Sequence, residues 1–321
     1  MHTVMTSSVE RLRPLTIVGG AEGVGKSTLL RHQLLHGGHH PIAVVVSSLN
    51  SLQLDDSDIL SRDATFTTLC NGSLCCETDG DVTSTLAMLR KRLHPDTHVL
   101  LEARHDASMR RFAGYGYTPG YRLDGTVVVA DAKTLDGKLE AEQFSRMRTH
   151  IGSAEIVVIN KVDLLATQRP QAVTDTVNTL HHTARLIQTS RGRVPPPLLL
   201  GVGPDEAEIE DRAVPATWKT SFRPAPRRTN ASSETRTDVE PSYRMWTLST
   251  TEPMTGHDFR YWAAHLPSTI VRARGSVLLS DDQPYRYRFE LVGSHHYLRR
   301  DEPWGAQVPA TSSPYPISLA R

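Results

Sequence analysis

The segment from Gly20 to Ser27, GAEGVGKS, follows the pattern G-x-x-x-x-G-K-[ST]. Glycines in this pattern let consecutive backbone N–H groups turn around phosphate oxygens, and the helix that follows adds the positive end of its dipole. The lysine places a charge on the β- and γ-phosphates, and the hydroxyl is a ligand for Mg²⁺. The pattern predicts a phosphate-binding loop. Its binding residues are predicted to be Gly20, Gly23, Val24, Gly25, Lys26, Ser27 and Thr28.

A second pattern, N-K-x-D, follows an apolar run and comprises Asn160, Lys161 and Asp163. The Asp163 carboxylate can accept hydrogen bonds from both N1–H and the 2-amino group of guanine. Adenine has no N1 proton and would leave the carboxylate unpaired, so the pattern predicts GTP rather than ATP. We expect Asn160 to brace the loop and the stem of Lys161 to cover the base.

Two acidic residues close other apolar runs. Glu102 ends the run THVLLE, and we predict that it assists Mg²⁺ and the attacking water. Asp131 ends the run TVVVAD, and we expect it to brace the nucleotide loop rather than to contact the metal ion. Lys26 and Glu102 are thus the predicted catalytic residues, and Ser27 and Glu102 are the predicted magnesium ligands.

The three cysteines, Cys70, Cys75 and Cys76, fall within seven residues. So tight a cluster does not resemble a disulfide framework, and it favours a metal or redox site. We predict that the three cysteines bind a metal ion through their thiolates. The alternative is that they are small buried core residues.

The elements that position these groups alternate between apolar strands and amphipathic helices over residues 14–201. A helix is predicted from Asp81 to Leu93, where the apolar residues share one face. Near-continuous apolar strands between helices predict an α/β fold, a P-loop NTPase with a mostly parallel sheet. The predicted strands are Leu15–Val18, Ile42–Val46, His98–Glu102, Val127–Asp131, Ile156–Asn160 and Arg185–Gln188.

A change in composition predicts a second, smaller domain. Residues 203–240 are polar and rich in proline and have no clear period, which is typical of a linker. Beyond them, the patterns predict strands at 243–248, 270–279 and 285–292 and a helix near 256–265, which together form a small α+β domain. The predicted layout is a flexible N-terminus (1–13), a GTPase domain (14–202), the linker (203–240), the small domain (241–304) and a tail (305–321).

The bulk composition excludes some classes of protein. The chain of 321 residues has a formal net charge of +1, which disfavours a nucleic-acid-binding protein that relies on a basic field. No apolar run is long enough for a membrane span, and the N-terminus has no apolar stretch of a signal peptide. We therefore expect a cytoplasmic protein without a nucleic-acid or membrane partner. Whether it forms a homodimer is left open.

The order of P-loop, N-G-x-x-C-C, strand-end glutamate and N-K-x-D resembles the CobW family of P-loop GTPases. The segment IVRARGSVLL (270–279) is similar to that family's C-terminal domain. The resemblance implies a GTP-driven metallochaperone or metal insertase that acts on cobalt, zinc, iron or nickel targets and has a client metalloprotein as its partner. It maps the family's C-x-C-C motif onto Ser73, Cys75 and Cys76.

The chain departs from the family pattern at three places. Ser73 stands where the family has its first thiol, although Cys70 could supply a third thiolate. Residues 47–51, SSLNS, lack the carboxylates of the family's N-E-F-G-E segment. The segment Glu102–His105, EARH, replaces the turn E-[ST]-x-G.

The sequence is therefore consistent with two functions. The first is a GTP-hydrolysing metallochaperone that delivers Zn²⁺ or Co²⁺ to a client protein. The second is a degenerate, metal-free switch that binds GTP or GDP and acts through a protein partner. A small-molecule kinase would use the same P-loop, but the N-K-x-D pattern disfavours it.

Overall fold

The structure is a computed structural model. It describes residues 12–37, 42–63, 65–78, 81–105, 107–137, 141–165, 170–200, 245–248, 254–267, 269–303 and 317–320. The chain divides into two compact units, residues 1–126 and 127–321. The predicted linker, 203–240, lies outside the described residues, as does most of the predicted N-terminal segment. The predicted domain layout therefore stays a prediction.

The first unit carries a mostly parallel set of strands in the order β3-β4-β5-β2-β6-β1. Strand β2 pairs in parallel with β5 and β6, and β6 pairs in parallel with β1. The strands are β1 (Arg13–Gly19), β2 (Ile42–Val46), β3 (Ile59–Arg62), β4 (Phe66–Leu69), β5 (Leu74–Glu77) and β6 (His98–Glu102). Its helices are α1 (Lys26–His36), α2 (Val82–Arg92) and α3 (Met109–Ala113). Every residue of β1, β2 and β6 is buried, as expected for strands covered on both faces.

Strand β7 (Tyr121–Asp131) contains the boundary between the units. In the second unit it pairs in parallel with β8 (Ile156–Asn160), which pairs in parallel with β9 (Arg185–Gln188). The helices that alternate with these strands are α4 (Ala132–Asp136), α5 (Ala141–Ile151), α6 (Pro170–Leu180) and α7 (Pro196–Leu200).

The second unit also holds a five-stranded antiparallel sheet in the order β10-β14-β11-β12-β13. Its strands are β10 (Met245–Leu248), β11 (Arg272–Leu278), β12 (Tyr285–Val292), β13 (His295–Pro303) and β14 (Ile317–Ala320), and helix α8 spans Gly256–Ala264. Helix and sheet share a core in which the rings of Phe259 and Phe289 meet edge to face at 5.0 Å.

The predicted α/β class and mostly parallel sheet are confirmed, and all six predicted strands of the nucleotide-binding region are present. Helix α2 is also present, and Asp81 caps it by accepting a hydrogen bond from Ser84 N. Strands β3–β5 were not predicted, because they are short and mixed in polarity. Strand β13 was not predicted either, and Ile317–Ala320 in the predicted tail forms a strand. Among the described residues, no helix is both long enough and apolar enough to cross a membrane.

Candidate nucleotide-binding site

The predicted phosphate loop joins β1 to α1 in the first unit. Gly23 and Gly25 have φ angles of 74° and 102°, a left-handed conformation that glycine adopts readily. Gly25 caps α1, and its carbonyl oxygen accepts the first helical hydrogen bond from Leu29 N at 3.0 Å. The loop therefore leads directly into the N-terminus of an 11-residue helix. This end of the helix is suited to an anion.

Lys26 is the first residue of α1, and its side chain folds back over the loop. Its Nζ donates hydrogen bonds to the carbonyl oxygens of Gly20 at 3.0 Å and Ala21 at 2.8 Å. Burial lowers the pKa of Lys26, while the nearby charges of Glu102 and Glu22 act in the opposite direction. An ammonium has three donors, so two bonds to the loop leave a third for a phosphate oxygen.

The loop opens onto a cleft of about 520 Å³ within the first unit. Three segments line it: the phosphate loop with the start of α1, the segment after β2, and the segment after β6. The lining residues outside the loop are Ser47, Ser48, Ser51, Glu102, Ala103, Arg104 and His105. A cleft of this size can hold a drug-sized ligand. Two of the three departures from the family pattern therefore lie in its wall.

Glu102 and Ser27, the predicted magnesium ligands, both line this cleft. Glu102 is only 8% exposed, and its Oε2 accepts a hydrogen bond from Ser47 N at 3.2 Å. A carboxylate and a hydroxyl are oxygen donors of the kind that Mg²⁺ prefers. The donor set therefore fits a magnesium ion bound with nucleotide phosphates. Thr28, also predicted to bind phosphate, is exposed on the same lining, whereas Val24 is buried with 6% exposure.

The predicted guanine-binding motif follows β8 in the second unit. Asn160 is 1% exposed, and its Oδ1 accepts a hydrogen bond from Gly192 N at 2.9 Å. Lys161 has a φ of 63°, which is uncommon for a residue with a side chain and often marks a functional turn. Asp163 lies in the short 3₁₀ turn that follows, and it is exposed. Its carboxylate is accessible to a ligand.

Asp131, at the end of β7, holds Lys161 in place. Its Oδ2 accepts a hydrogen bond from Lys161 Nζ at 2.8 Å, and its Oδ1 caps α4 by accepting one from Lys133 N, also at 2.8 Å. The side chain thus connects the ends of two neighbouring strands. This geometry is that of a brace for the N-K-x-D turn.

The segment after β9, residues 189–193, supports the N-K-x-D turn and was not predicted from the sequence. In this segment, Gly192 N donates a hydrogen bond to Asn160 Oδ1. The carbonyl oxygen of Thr189 accepts one from Val162 N at 3.3 Å. Thr189 and Ser190 are fully buried. The available signal was the segment TSRG at a strand end, which contains two hydroxyl residues and a glycine.

The predicted thiolate site is not assembled in the structure. Cys75 and Cys76 are consecutive residues of β5, so their side chains lie on opposite faces of the sheet. Both are 0% exposed. Burial raises the pKa of Cys75 to about 11 and that of Cys76 to about 12. Both side chains are therefore neutral thiols near pH 7.

Cys70 lies apart from the other two, at the turn between β4 and β5. It is exposed, and its Sγ donates to the carbonyl oxygen of Ser57 at 3.6 Å. Cys75 pairs with Thr67, three residues before Cys70, which separates the two cysteines by about 10 Å along the hairpin.

Ser73, at the position of the family's first thiol, is 1% exposed and accepts a hydrogen bond from Ile42 N at 3.3 Å. Within the described ranges, no three His, Cys, Asp or Glu side chains are grouped to hold a metal ion.

The chain is similar to a known protein family and to several curated proteins. The family described as CobW/HypB/UreG, nucleotide-binding domain, matches residues 14–188. The chain is 27% identical over 231 residues to the zinc chaperone CobW of Pseudomonas aeruginosa, covering 61% of each protein. It is 24% identical over 233 residues to the zinc chaperone CobW of a Sinorhizobium species, covering 62% of this chain and 65% of that protein. The zinc chaperone YjiA of Escherichia coli is 27% identical over 159 residues, which are 47% of this chain and 49% of YjiA.

The chain thus matches less than two thirds of the length of each of these curated relatives. The family match itself runs from β1 through β9 and includes both the phosphate loop and the N-K-x-D turn. Because it spans more than half of the 321 residues, the chain belongs to the CobW/HypB/UreG nucleotide-binding domain family.

Proposed function

We propose that this protein is a GTP-binding and GTP-hydrolysing metallochaperone that carries a divalent metal ion, zinc, to a client protein. The observation that supports nucleotide binding most directly is the phosphate loop, in which Lys26 lies across the turn at the start of α1. The choice of zinc rests on relatives that are named zinc chaperones.

In this proposal the β- and γ-phosphates are bound by loop N–H groups, the α1 N-terminus and Lys26. Ser27 and Glu102 would hold a magnesium ion, which would neutralise charge on the phosphate oxygens. Glu102 is buried at the end of β6 and held by Ser47 N, so its carboxylate is positioned before nucleotide binds. Asp163 recognises guanine, and Asp131 and Asn160 keep its turn in shape.

The experiment measures GTP hydrolysis and zinc release together. The purified chain, loaded with Zn²⁺, is mixed with a chromophoric zinc chelator and with GTP, GDP or a non-hydrolysable GTP analogue. We expect release to be faster in one nucleotide state than in the others, and we expect Lys26→Ala to remove that dependence. Lys91→Ala on the exposed surface of α2 is the matched control.

The second candidate is a metal-free switch that binds GTP and acts through a protein partner. The burial of Cys75 and Cys76 favours it, because thiolate ligation there would require β5 to open. This candidate would be favoured if the protein binds GTP specifically but binds no zinc in any nucleotide state. Absence of both GTP binding and hydrolysis would contradict both candidates.

A further inference from the structure

We propose that His32 and His36 on α1 form a binding site for a divalent transition-metal ion of the zinc class. The inference rests on the proposed function only in treating this ion as cargo. The thiols do not form a described metal site, and Cys75 and Cys76 are neutral and buried. The histidine pair lies elsewhere, on a helix surface.

The two side chains are one helical turn apart, at positions i and i+4 of α1. Their rings are stacked, with centroids 4.4 Å apart and planes inclined by 25°. Tetrahedral zinc with bonds of about 2.0–2.1 Å places two ligand nitrogens about 3.3 Å apart. Because the ring centroids are 4.4 Å apart, the side chains would have to rotate to bring one nitrogen of each ring to that separation around an ion.

A hydrogen bond sets the tautomer of one ring. His36 Nδ1 lies 3.0 Å from the carbonyl oxygen of His32. A carbonyl oxygen only accepts, so Nδ1 carries the proton. In the neutral ring, Nε2 then carries the lone pair and faces away from the backbone. Metal-bound histidines commonly show this arrangement, with the second ring nitrogen donating to a carbonyl group.

The pair is separate from the proposed magnesium site. His32 and His36 lie six and ten residues beyond Lys26, which is about 9 and 15 Å along the helix axis. The magnesium donors are oxygens, whereas imidazole nitrogen suits zinc, copper, nickel and iron. His36 is exposed and His32 is partly exposed, so an ion can reach them from solvent.

The surroundings suit an ion that is held briefly and then passed on. Two protein ligands leave coordination positions for water or for side chains of a client, unlike a closed site with four protein ligands. The turn that carries Cys70 is anchored to the same end of α1, since Asn71 Nδ2 donates to the carbonyl oxygen of Leu34 at 2.7 Å. This contact connects the turn that carries Cys70 to the last turn of α1.

Copper–iminodiacetate is the test probe, because its free coordination positions suit a pair of neighbouring histidines. The full chain carries Cys70→Ser to remove the exposed thiol. Electron paramagnetic resonance should show two imidazole nitrogens on the copper. We expect His32→Gln and His36→Gln each to weaken binding at least about tenfold. Glutamine is compatible with a helix, so α1 should remain folded.

Two double variants serve as controls. His181→Gln/His182→Gln removes adjacent histidines, which are not spaced to face one another as an i, i+4 pair is. His39→Gln/His40→Gln removes the histidines that follow α1 in the sequence. Neither should change the spectrum. Loss of the signal in the His39/His40 variant, with binding retained in the His32 and His36 variants, would overturn the proposal.

A parallel titration with Zn²⁺ alone separates this inference from the proposed function. Nucleotide-dependent zinc release that survives in His32→Gln/His36→Gln would overturn the site and leave the metallochaperone proposal standing. Zinc binding that is lost in that variant, with no effect of GTP, would support the site and contradict the proposed function. GTP affinity should be the same in both proteins, because the pair does not line the nucleotide cleft.

Discussion

Cys75 and Cys76 are consecutive residues of β5 whose side chains lie on opposite faces of the sheet, and both are fully buried. Cys70, five residues before Cys75, is exposed in the turn that precedes β5. The three thiols therefore occupy three different environments. Their chemical reactivity should differ accordingly.

Thiol reactivity provides the first prediction. Iodoacetamide reacts with thiolates, and burial raises the pKa of Cys75 to about 11 and of Cys76 to about 12. At pH 8 we expect rapid alkylation of Cys70 alone, so that intact-mass spectrometry detects one adduct in the folded protein. All three cysteines should react in urea. Rapid addition of three adducts to the folded protein would show that β5 opens readily.

The same shifts predict how stability depends on pH. The folded pKa values lie above the ordinary value of 9.0, so the unfolded chain loses these protons first as the pH rises. The stabilisation from the neutral thiols is fully present below pH 9 and is lost as the pH rises toward 11–12. Urea unfolding of Cys76→Ala should show a smaller loss of stability over this range than the wild type does. An equal loss of stability in the two proteins would contradict the raised pKa of Cys76.

Phosphate binding provides a further prediction. Lys26→Ala removes a charge from a largely desolvated site, so we expect triphosphate affinity to fall by about 2 to 5 kcal/mol. Isothermal titration with GTP measures this change, and circular dichroism should show an intact fold. Lys91→Ala, on the exposed surface of α2, should bind GTP normally. Wild-type affinity in Lys26→Ala would remove the basis of the P-loop assignment.

Base recognition depends on Asp163. We expect GTP and GDP to bind at least about tenfold more tightly than ATP, because guanine satisfies the carboxylate and adenine does not. Asp163→Asn replaces an acceptor with an amide, and it should shift preference toward xanthine nucleotides. Competition binding with labelled nucleotides measures both effects. Asp175→Asn on the exposed face of α6 is the control, and equal affinity of the wild type for ATP and GTP would disprove the assignment.

The altered wall of the cleft provides the last prediction. Arg104 lines the same cleft as Lys26, where the family has a different turn. A cation near the γ-phosphate stabilises charge in the transition state, so we expect Arg104→Ala to lower kcat at least about tenfold with a smaller change in KM. Arg110→Ala, on α3 and outside the cleft lining, should hydrolyse GTP normally. An unchanged kcat in Arg104→Ala would exclude this role.

The nucleotide-binding region could be predicted because its signals are local. Strands β2, β6 and β8 have the bounds that their apolar runs predict, since each is short, continuous and buried on both faces. The phosphate loop and the N-K-x-D turn could likewise be read from residue type and spacing. Asp131 and Asn160 were expected to brace a loop, and the structure shows what each of them contacts.

The sequence by itself therefore determined the α/β class, the family and the residues predicted to bind nucleotide. Tertiary structure alone decided the environment of the cysteines. Strand pairing buries Cys75 and Cys76 and places their side chains on opposite faces of the sheet, whereas their spacing in the sequence suggests one cluster. It also brought Arg104 and His105 into the cleft wall and stacked His32 on His36. These features depend on which backbone segments pack together and which way each side chain points, and neither is encoded in a local pattern.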